Sequence, residues 1–415
     1  MSENNDSELT KIPGIGKVTA KKLIAEGINT YEDFINSDPT QIAKIVNSSE
    51  EKVKIWIQNA KELILEDGIE ISDEEIEAME EAIEMVNDEF EEDQPRKKSS
   101  KKKIDYDISD LPGVGAATTK KLKEAGLLTV RAIAVTPKQV IMDEAGIGDK
   151  TAEKLIRASQ ELLNLNFKTA SEIWEERKNL KKISTGSPNL DEILGGGIET
   201  KALTEFYGEY RTGKTQLMHQ LCVNVQLPQE KGGLEGRALY IDAEGTFRPE
   251  RIIQMAEALD LDYKKILQNI TFARAYNSDH QIMLVKDASH IIEEQNIKLI
   301  VVDSLIGHFR SEYIGRGTLA ERQQLLNSHL HDLIRLTEIF SDLAILVTNQ
   351  VQSKPDVFYG NPLRATGGNI MAHGSTIRVY LRKGKEDQRV AKIVDAPHLA
   401  EAEAIFTISE DGIRD

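Results

Sequence analysis

The sequence predicts an α/β protein: a mostly parallel sheet carrying a phosphate loop, preceded by two small all-α domains. Three observations predict it. From about Leu180 onward, short apolar runs alternate with helical stretches, a pattern that implies a buried parallel sheet with helices on both faces. One of those runs leads into a loop of the form G-x-x-x-x-G-K-[ST], with a helical stretch behind it. The first 165 residues contain an internal repeat with an offset of 99.

At 415 residues the chain has room for two or three domains with full cores. Its opening, Met1-Ser2-Glu3-Asn4-Asn5-Asp6, is polar and acidic, unlike a signal or transit peptide. No apolar run approaches the roughly 18 residues needed to span a bilayer. No membrane partner is therefore expected, and the expected location is cytoplasmic. The one cysteine, Cys222, leaves no intrachain disulfide, points to a reducing compartment and reads as core packing. The net charge of −17 looks hostile to nucleic acid, but residues 66–93 hold fifteen Asp or Glu and no Lys or Arg. The rest is close to neutral, and local basic loops suffice to meet DNA phosphates.

Residues 1–65 and 105–165 are the two copies of the repeat. Lys11-Ile12-Pro13-Gly14-Ile15-Gly16 recurs as Asp110-Leu111-Pro112-Gly113-Val114-Gly115, and Lys21-Lys22-Leu23 as Lys120-Lys121-Leu122. Two copies are too few for a solenoid, so this is a duplicated helical domain. Each copy reads as helix, P-G-x-G turn, helix. Gly113 and Gly115 are thus expected to bring backbone amides to the surface at a helix N-terminus, which suits a phosphate and reads no base. The second copy carries another such hairpin, Ala145-Gly146-Ile147-Gly148-Asp149-Lys150. The first replaces it with Val46-Asn47-Ser48-Ser49-Glu50-Glu51, losing glycines and gaining acid. Both copies resemble the helix-hairpin-helix family of DNA-binding modules; a structural turn or a protein-docking domain is the plainer alternative.

Residues 66–104 separate the copies. Ser72-Asp73-Glu74-Glu75 has the form of a capping box. Ile76, Met79, Ile83, Val86 and Phe90 then make one apolar stripe on an acidic helix. Gln94 to Lys103 is a basic linker.

The α/β core is expected over 183–415, after a linker at 166–182. Its first four strands are Leu203–Tyr207, Ala238–Asp242, Leu299–Asp303 and Ala344–Thr348. After Ser375, Thr376–Leu381, Arg389–Val394 and Glu403–Ile408 are expected to extend the sheet in antiparallel fashion. The phosphate loop is Gly208-Glu209-Tyr210-Arg211-Thr212-Gly213-Lys214-Thr215, with Gln216 opening the helix. Its backbone amides would cradle a nucleoside triphosphate, with Lys214 on the β/γ-phosphates and the Thr215 hydroxyl on Mg²⁺. Asp303 ends an apolar strand on a carboxylate suited to the same ion. Glu244 follows another strand at its carboxyl edge, where a carboxylate can deprotonate attacking water. Gln350 ends a third with an uncharged amide able to sense a γ-phosphate.

With these parts in place the sequence closely resembles the archaeal recombinases of the RecA superfamily, strand-exchange ATPases with a RecA-like P-loop core. The likeness covers roughly 105–415. It is carried by Ile183-Ser184-Thr185-Gly186-Ser187, Leu190-Asp191-Glu192-Ile193-Leu194-Gly195-Gly196-Gly197, Tyr240-Ile241-Asp242-Ala243-Glu244-Gly245-Thr246-Phe247-Arg248-Pro249-Glu250-Arg251 and Glu312-Tyr313-Ile314-Gly315-Arg316-Gly317-Thr318. The resemblance implies a DNA-dependent ATPase that uses ATP and Mg²⁺, forms a filament or ring on single-stranded DNA, and exchanges strands with duplex DNA. It also implies nucleoid association and recombination mediator proteins as candidate partners. Glu244 matches the catalytic glutamate, Arg251 the arginine that stacks on adenine, and Gln350 the switch amide. Phe167-Lys168-Thr169-Ala170 matches the polymerisation motif, in which Phe167 and Ala170 enter the neighbour as an added strand. His373 resembles a residue meeting the neighbour's γ-phosphate. Asp395 and Pro397 resemble the cap that a neighbour places over ATP, with Asp395 also a candidate ligand for a monovalent cation such as K⁺. Two loops resemble single-strand contacts. The first holds Arg310, Arg316 and Arg322 on mobile glycine-bearing backbone; the second, 352–371, holds Lys354, Phe358 and Arg364. The chain departs from the pattern in its extra N-terminal copy and in Arg211, bulkier than the small residue common there. A regulatory relative that binds ATP and DNA without exchanging strands is the alternative. The complete catalytic set argues against it.

Overall fold

The computed structural model describes residues 106–315, 317–353 and 363–415, and among the first 105 residues Leu9, Ile12, Ile15, 17–35, 37–46, Val53, Trp56, Ile57 and Ala60. The acidic helix and basic linker expected over 66–104, and Pro13, Gly14 and Gly16 of the first repeat, lie outside the described residues. The chain divides into two compact units, Met1–Lys103 and Ile104–Asp415.

In the first unit, α1 (Lys17–Ala25), α2 (Tyr31–Ile35) and α3 (Pro39–Val46) bury Leu23, Phe34 and Ile42 against Val53 and Trp56. Gly27 has φ +88° just after α1, and the Ile28 N–H returns to the Leu23 carbonyl, the left-handed exit that glycine permits. The Asp33 carboxylate accepts from the Asn29 and Thr30 backbone N–H groups, which holds its pKa below the ordinary value.

The second unit opens with a 3₁₀ turn at Ile108–Asp110, then α4 (Ala116–Glu124), α5 (Val130–Val135), α6 (Lys138–Ala145) and α7 (Asp149–Leu162). The helix expected before the Pro112-Gly113 turn is therefore only one turn, because Pro112 lacks an N–H and cannot continue it. The full helix, turn, helix form occurs at α6 and α7. Gly113 (φ +86°) and Gly146 (φ +59°) make the left-handed bends, and Gly115 and Gly148 cap α4 and α7. The unit continues with α8 (Ala170–Lys178), β1 (Lys182–Ile183), α9 (Pro188–Ile193) and β2 (Ile198–Glu199).

The sheet is built from β3 (Leu203–Gly208), β4 (Arg237–Asp242), β5 (Ile270–Arg274), β6 (Ile297–Asp303), β7 (Ala344–Asn349), β10 (Ile377–Lys383), β11 (Gln388–Asp395), β12 (Glu403–Ser409) and β13 (Gly412–Arg414). A separate hairpin pairs β8 (Val351–Ser353) with β9 (Leu363–Ala365). The main sheet runs β13-β12-β11-β10-β3-β7-β6-β4-β5. One expectation needs correction. Of the three late strands, β10 joins β3 in parallel, and only from β11 onward is pairing antiparallel. The edge strand β5 had no sequence reading because it is half-exposed and lacks a continuous apolar run.

Between the strands lie α10 (Lys214–Asn224), α11 (Pro249–Glu257), α12 (Tyr263–Gln268), α13 (Ser278–Ile292), α14 (Gly307–Glu312), α15 (Leu319–Ile339) and α16 (Gly368–Gly374). They cover both faces. Leu299 and Val301 of β6 pack into one core with Leu217, Leu221 and Ile252; Ile300 and Val302, one residue out of phase, pack into the other with Val285, Leu330 and Leu333. That two-sided burial is why the strands read as unbroken apolar runs. Cys222 is fully buried, and burial raises its thiol pKa, in keeping with packing rather than chemistry.

Two buried histidines carry a pH dependence. Burial lowers His219 and His329 each to about 4. The unfolded chain would take protons near 6.5, so between about pH 6.5 and 4 it binds more protons than the fold does, and stability falls as pH falls. The expected loss is on the order of 1 kcal/mol per pH unit for each histidine. Urea midpoints across that window should show the decline, and a shallower one in His329→Gln; equal slopes in the two proteins would contradict the assignment.

Candidate functional site

The phosphate loop leaves β3 at Gly208, where only glycine fits: an added Cβ would lie 2.2 Å from the Leu381 carbonyl oxygen. Gly213 has φ +97° and its Cβ would lie 2.3 Å from Ile408 Cδ1. Arg211 also sits in the left-handed region, at φ +66°. The Thr212 hydroxyl donates to the Glu209 carbonyl at 2.9 Å, closing the loop. Lys214 Nζ donates to the Gly208 and Glu209 carbonyls, each at 2.9 Å. Burial lowers the Lys214 pKa, and the nearby Asp303 and Glu244 carboxylates oppose that.

Asp303, at the end of β6, is gripped by three hydroxyls. Thr215 Oγ1 donates to its Oδ2 at 2.7 Å, Tyr240 from β4 donates to the same oxygen at 2.8 Å, and Thr348 from β7 donates to Oδ1. Burial and Asp303 together raise the Tyr240 pKa well above its ordinary value. Thr215 and Asp303 form a hard-oxygen pair of the kind that holds Mg²⁺ beside phosphates, so these residues fit the ion.

Glu244 is aimed by its own loop. The buried Asp242 carboxylate accepts from the backbone N–H groups of Glu244 (3.0 Å), Gly245 (2.6 Å), Thr246 (3.2 Å) and Phe247 (3.2 Å), folding the chain round itself after β4. The exposed Glu244 carboxylate then reaches across two strand ends. Its Oε1 accepts from Ser304 Oγ at 2.6 Å and from Gln350 Nε2 at 3.0 Å.

These groups share one cavity of about 630 Å³, lined by Gly208 to Gln216, Glu244, Asp303, Gln350 and Arg389, a size usual for a small-molecule site. It lies at the carboxyl ends of the adjacent parallel strands β3, β7, β6 and β4, where open α/β sheets bind ligands. Arg251 stands at the rim, its guanidinium donating to Gln216 Oε1 (2.6 Å) and to the Ser409 and Glu410 carbonyls. His373, Asp395 and Pro397 are exposed and do not line the cavity.

The floor beneath Gln350 is a buried ion pair. Arg378 Nε donates to Glu205 Oε2 at 2.7 Å, and Asn349 Nδ2 donates to Glu205 Oε1 at 2.7 Å and to the Thr366 carbonyl at 2.6 Å. Burial raises the Glu205 pKa, with Arg378 opposing it. Burial also pushes the neighbouring Tyr207 up to about 12.

The DNA-contact candidates need two corrections. Arg310 lies within α14 and Arg322 in the first turn of α15, so helices rather than mobile loop carry them. The stretch 352–371 is not all loop: 351–353 pairs with 363–365, placing Arg364 opposite Gln352, and α16 starts at Gly368. Arg316, Lys354 and Phe358 lie outside the described residues. Phe167 is fully exposed. Ala170 is exposed too, but it opens α8 instead of forming a strand, because Thr169 and Glu172 make a capping box there.

Family models and known relatives both match the chain. The family model described as Rad51 matches residues 176–415. A model described as SAM-like helix-hairpin-helix tandem matches 6–62 and 106–161. The chain is similar to the DNA repair and recombination protein RadA of Aeropyrum pernix, 55% identical over 309 residues that cover 74% of this chain and 97% of that one. RadA of Metallosphaera sedula is 54% identical over 309 residues, covering 74% and 95%. RadA of Ignicoccus hospitalis is 52% identical over 314 residues, covering 74% and 95%.

Proposed function

This chain belongs to the Rad51 family, and from that premise we propose how it acts as a DNA-dependent ATPase of recombination and repair. The observation that carries the reading is the convergence of Lys214, Thr215, Glu244, Asp303 and Gln350 on one cavity. Lys214 leaves its two loop carbonyls for the β/γ-phosphates of ATP. Thr215 and Asp303 would hold Mg²⁺, which when bound would supply neutralisation of phosphate charge. Glu244 presents its carboxylate to the attacking water and takes its proton. Gln350 keeps its bond to Glu244 with one hydrogen of Nε2 and turns the other to the γ-phosphate, and so reports nucleotide state to the β8–β9 hairpin.

Assembly completes the site. Phe167 is a large apolar side chain held wholly in solvent, and Ile173 and Trp174 follow it, exposed, on α8. Among the described residues β5 ends the sheet, with Phe272 exposed on it and Tyr276 exposed just beyond it. Phe167 and Ala170 of one copy dock at that edge of the next, ordering 166–169 as an added strand. His373, Asp395 and Pro397 are then offered to the neighbour's nucleotide, with Asp395 placed to hold a monovalent cation such as K⁺. The resulting filament or ring binds single-stranded DNA through the Arg310–Arg322 and 352–371 segments. Gly113 and Gly115 meet duplex phosphates, and mediator proteins act on the assembly.

Lys214→Ala tests the nucleotide site. We expect affinity for a fluorescent ATP analogue to fall at least about 10-fold, since a half-buried charge-assisted contact is lost. Unchanged affinity in the folded variant would sink the assignment.

A further inference from the structure

Ser304 has no role in the mechanism above, yet its environment is specific. It follows Asp303 directly, is 1% exposed, and directs its hydroxyl at Glu244 Oε1 from 2.6 Å. That distance lies in the short range of an O–H donating to an ionised carboxylate. A buried serine hydroxyl needs only some acceptor. Here it takes the carboxylate of an exposed residue 60 positions away, on the neighbouring strand end.

Ser304 is also the root of the segment that carries Arg310. Gly307 opens α14 so close to it that an added Cβ would lie 3.1 Å from Ser304 Oγ and 3.9 Å from Glu244 Oε1. The helix behind is stiffly held. Phe309 is fully buried, Glu312 accepts from the Ser278 N–H at 2.9 Å, and His308 Nε2 meets the Ala275 carbonyl at 3.0 Å. Leu305 donates its N–H to the Thr348 carbonyl at 3.1 Å, and its own carbonyl accepts from Gln281 at 2.9 Å. A pull on Arg310 therefore turns α14 about these anchors, and Gly307, its first residue, lies beside Ser304. Gln350 reaches the same carboxylate oxygen from the root of the other segment, where its N–H is held by Asn349 Oδ1 at 2.8 Å and its carbonyl by the Thr366 N–H at 2.9 Å.

We propose that Ser304 is a positioning residue that couples the Arg310 segment to the hydrolytic base, so that Glu244 Oε1 reads both DNA-contacting segments at once. This rests on the reading of Glu244 as the base and of those segments as DNA contacts. DNA held by Arg310 resets α14, Ser304 turns with it, and the second carboxylate oxygen of Glu244 swings toward the water beside the γ-phosphate. Without the hydroxyl, the base answers to the Gln350 segment alone.

The test is steady-state ATP hydrolysis by the intact chain, with and without single-stranded DNA, for wild type, Ser304→Ala and Gly307→Ala. We expect the ratio of DNA-stimulated to DNA-free kcat to fall about 5-fold or more in Ser304→Ala, in the range of ordinary coupling energies. KM for ATP, and DNA binding with a non-hydrolysable ATP analogue, should stay within about 2-fold of wild type. Gly307→Ala keeps every hydrogen-bonding group but crowds Ser304 Oγ, and should lower the same ratio; it serves if Ser304→Ala fails to fold. A wild-type ratio in the variants overturns the proposal. So does a loss that falls equally on the DNA-free rate, as general damage would give. If wild type shows no DNA stimulation, or Glu244→Gln hydrolyses ATP at the wild-type rate, the underlying reading of the site fails as well.

Discussion

Glu244→Gln is expected to lower the DNA-stimulated ATPase rate by about 10²–10⁴-fold, the usual contribution of a positioned general base, while ATP still binds. The substitution keeps size and leaves an oxygen to accept from Ser304 and Gln350, which stand 2.6 and 3.0 Å from Oε1 in the native chain. The Asp242 cradle that aims the loop uses only the backbone of residue 244, and the Thr215–Asp303 pair, 2.7 Å apart, is not involved. What disappears is the basic carboxylate. Single-turnover hydrolysis set beside nucleotide binding separates the two effects. A fall of less than about 10-fold would move the base elsewhere in the cavity.

Phe167→Glu should abolish self-assembly while leaving the fold intact. Phe167 is 107% exposed, so the isolated chain loses no packing by the change. An aromatic anchor at the centre of an interface is commonly worth about 2–4 kcal/mol, or roughly 30- to 1,000-fold in association. Burying a carboxylate there adds a desolvation cost. Light scattering or sedimentation with ATP and single-stranded DNA should find the variant unassembled, with an unchanged thermal midpoint. Wild-type assembly would remove Phe167 from the interface.

How much of this was legible in the sequence depends on how local the signal is. The phosphate loop was readable because the constraint at Gly208 and Gly213 and the proposed roles of Lys214 and Thr215 fall within eight residues. Asp303, Glu244 and Gln350 were readable because each follows an apolar run that is buried on both faces, and a polar residue after such a run is conspicuous. Tyr240 and Thr348 were not, although they grip Asp303, because their partner is reached across strands 63 and 45 residues away. Ser304 was hidden in the same way, and Arg389, which lines the cavity, sat in a strand read only as sheet extension. Gly315 and Gly317 fall between two helices, but nothing short-range showed that one helix runs past Arg310 to Glu312 and the next begins at Leu319, before Arg322. The parallel entry of β10 beside β3 depends on the whole crossover from β7, which no local pattern encodes. Thr169 and Glu172 form a capping box visible in hindsight, yet the resemblance to a polymerisation motif favoured a strand over the helix that the isolated chain adopts.

The most direct measurement is strand exchange itself: the intact chain with ATP, Mg²⁺, a single-stranded circle and homologous linear duplex, run beside Glu244→Gln and Lys214→Ala. A Rad51-family recombinase with this complete site should yield joint molecules and exchanged product, with none from Lys214→Ala. A wild-type chain that hydrolyses ATP in response to DNA, yet forms no joint molecules with homologous duplex, would contradict the recombinase reading.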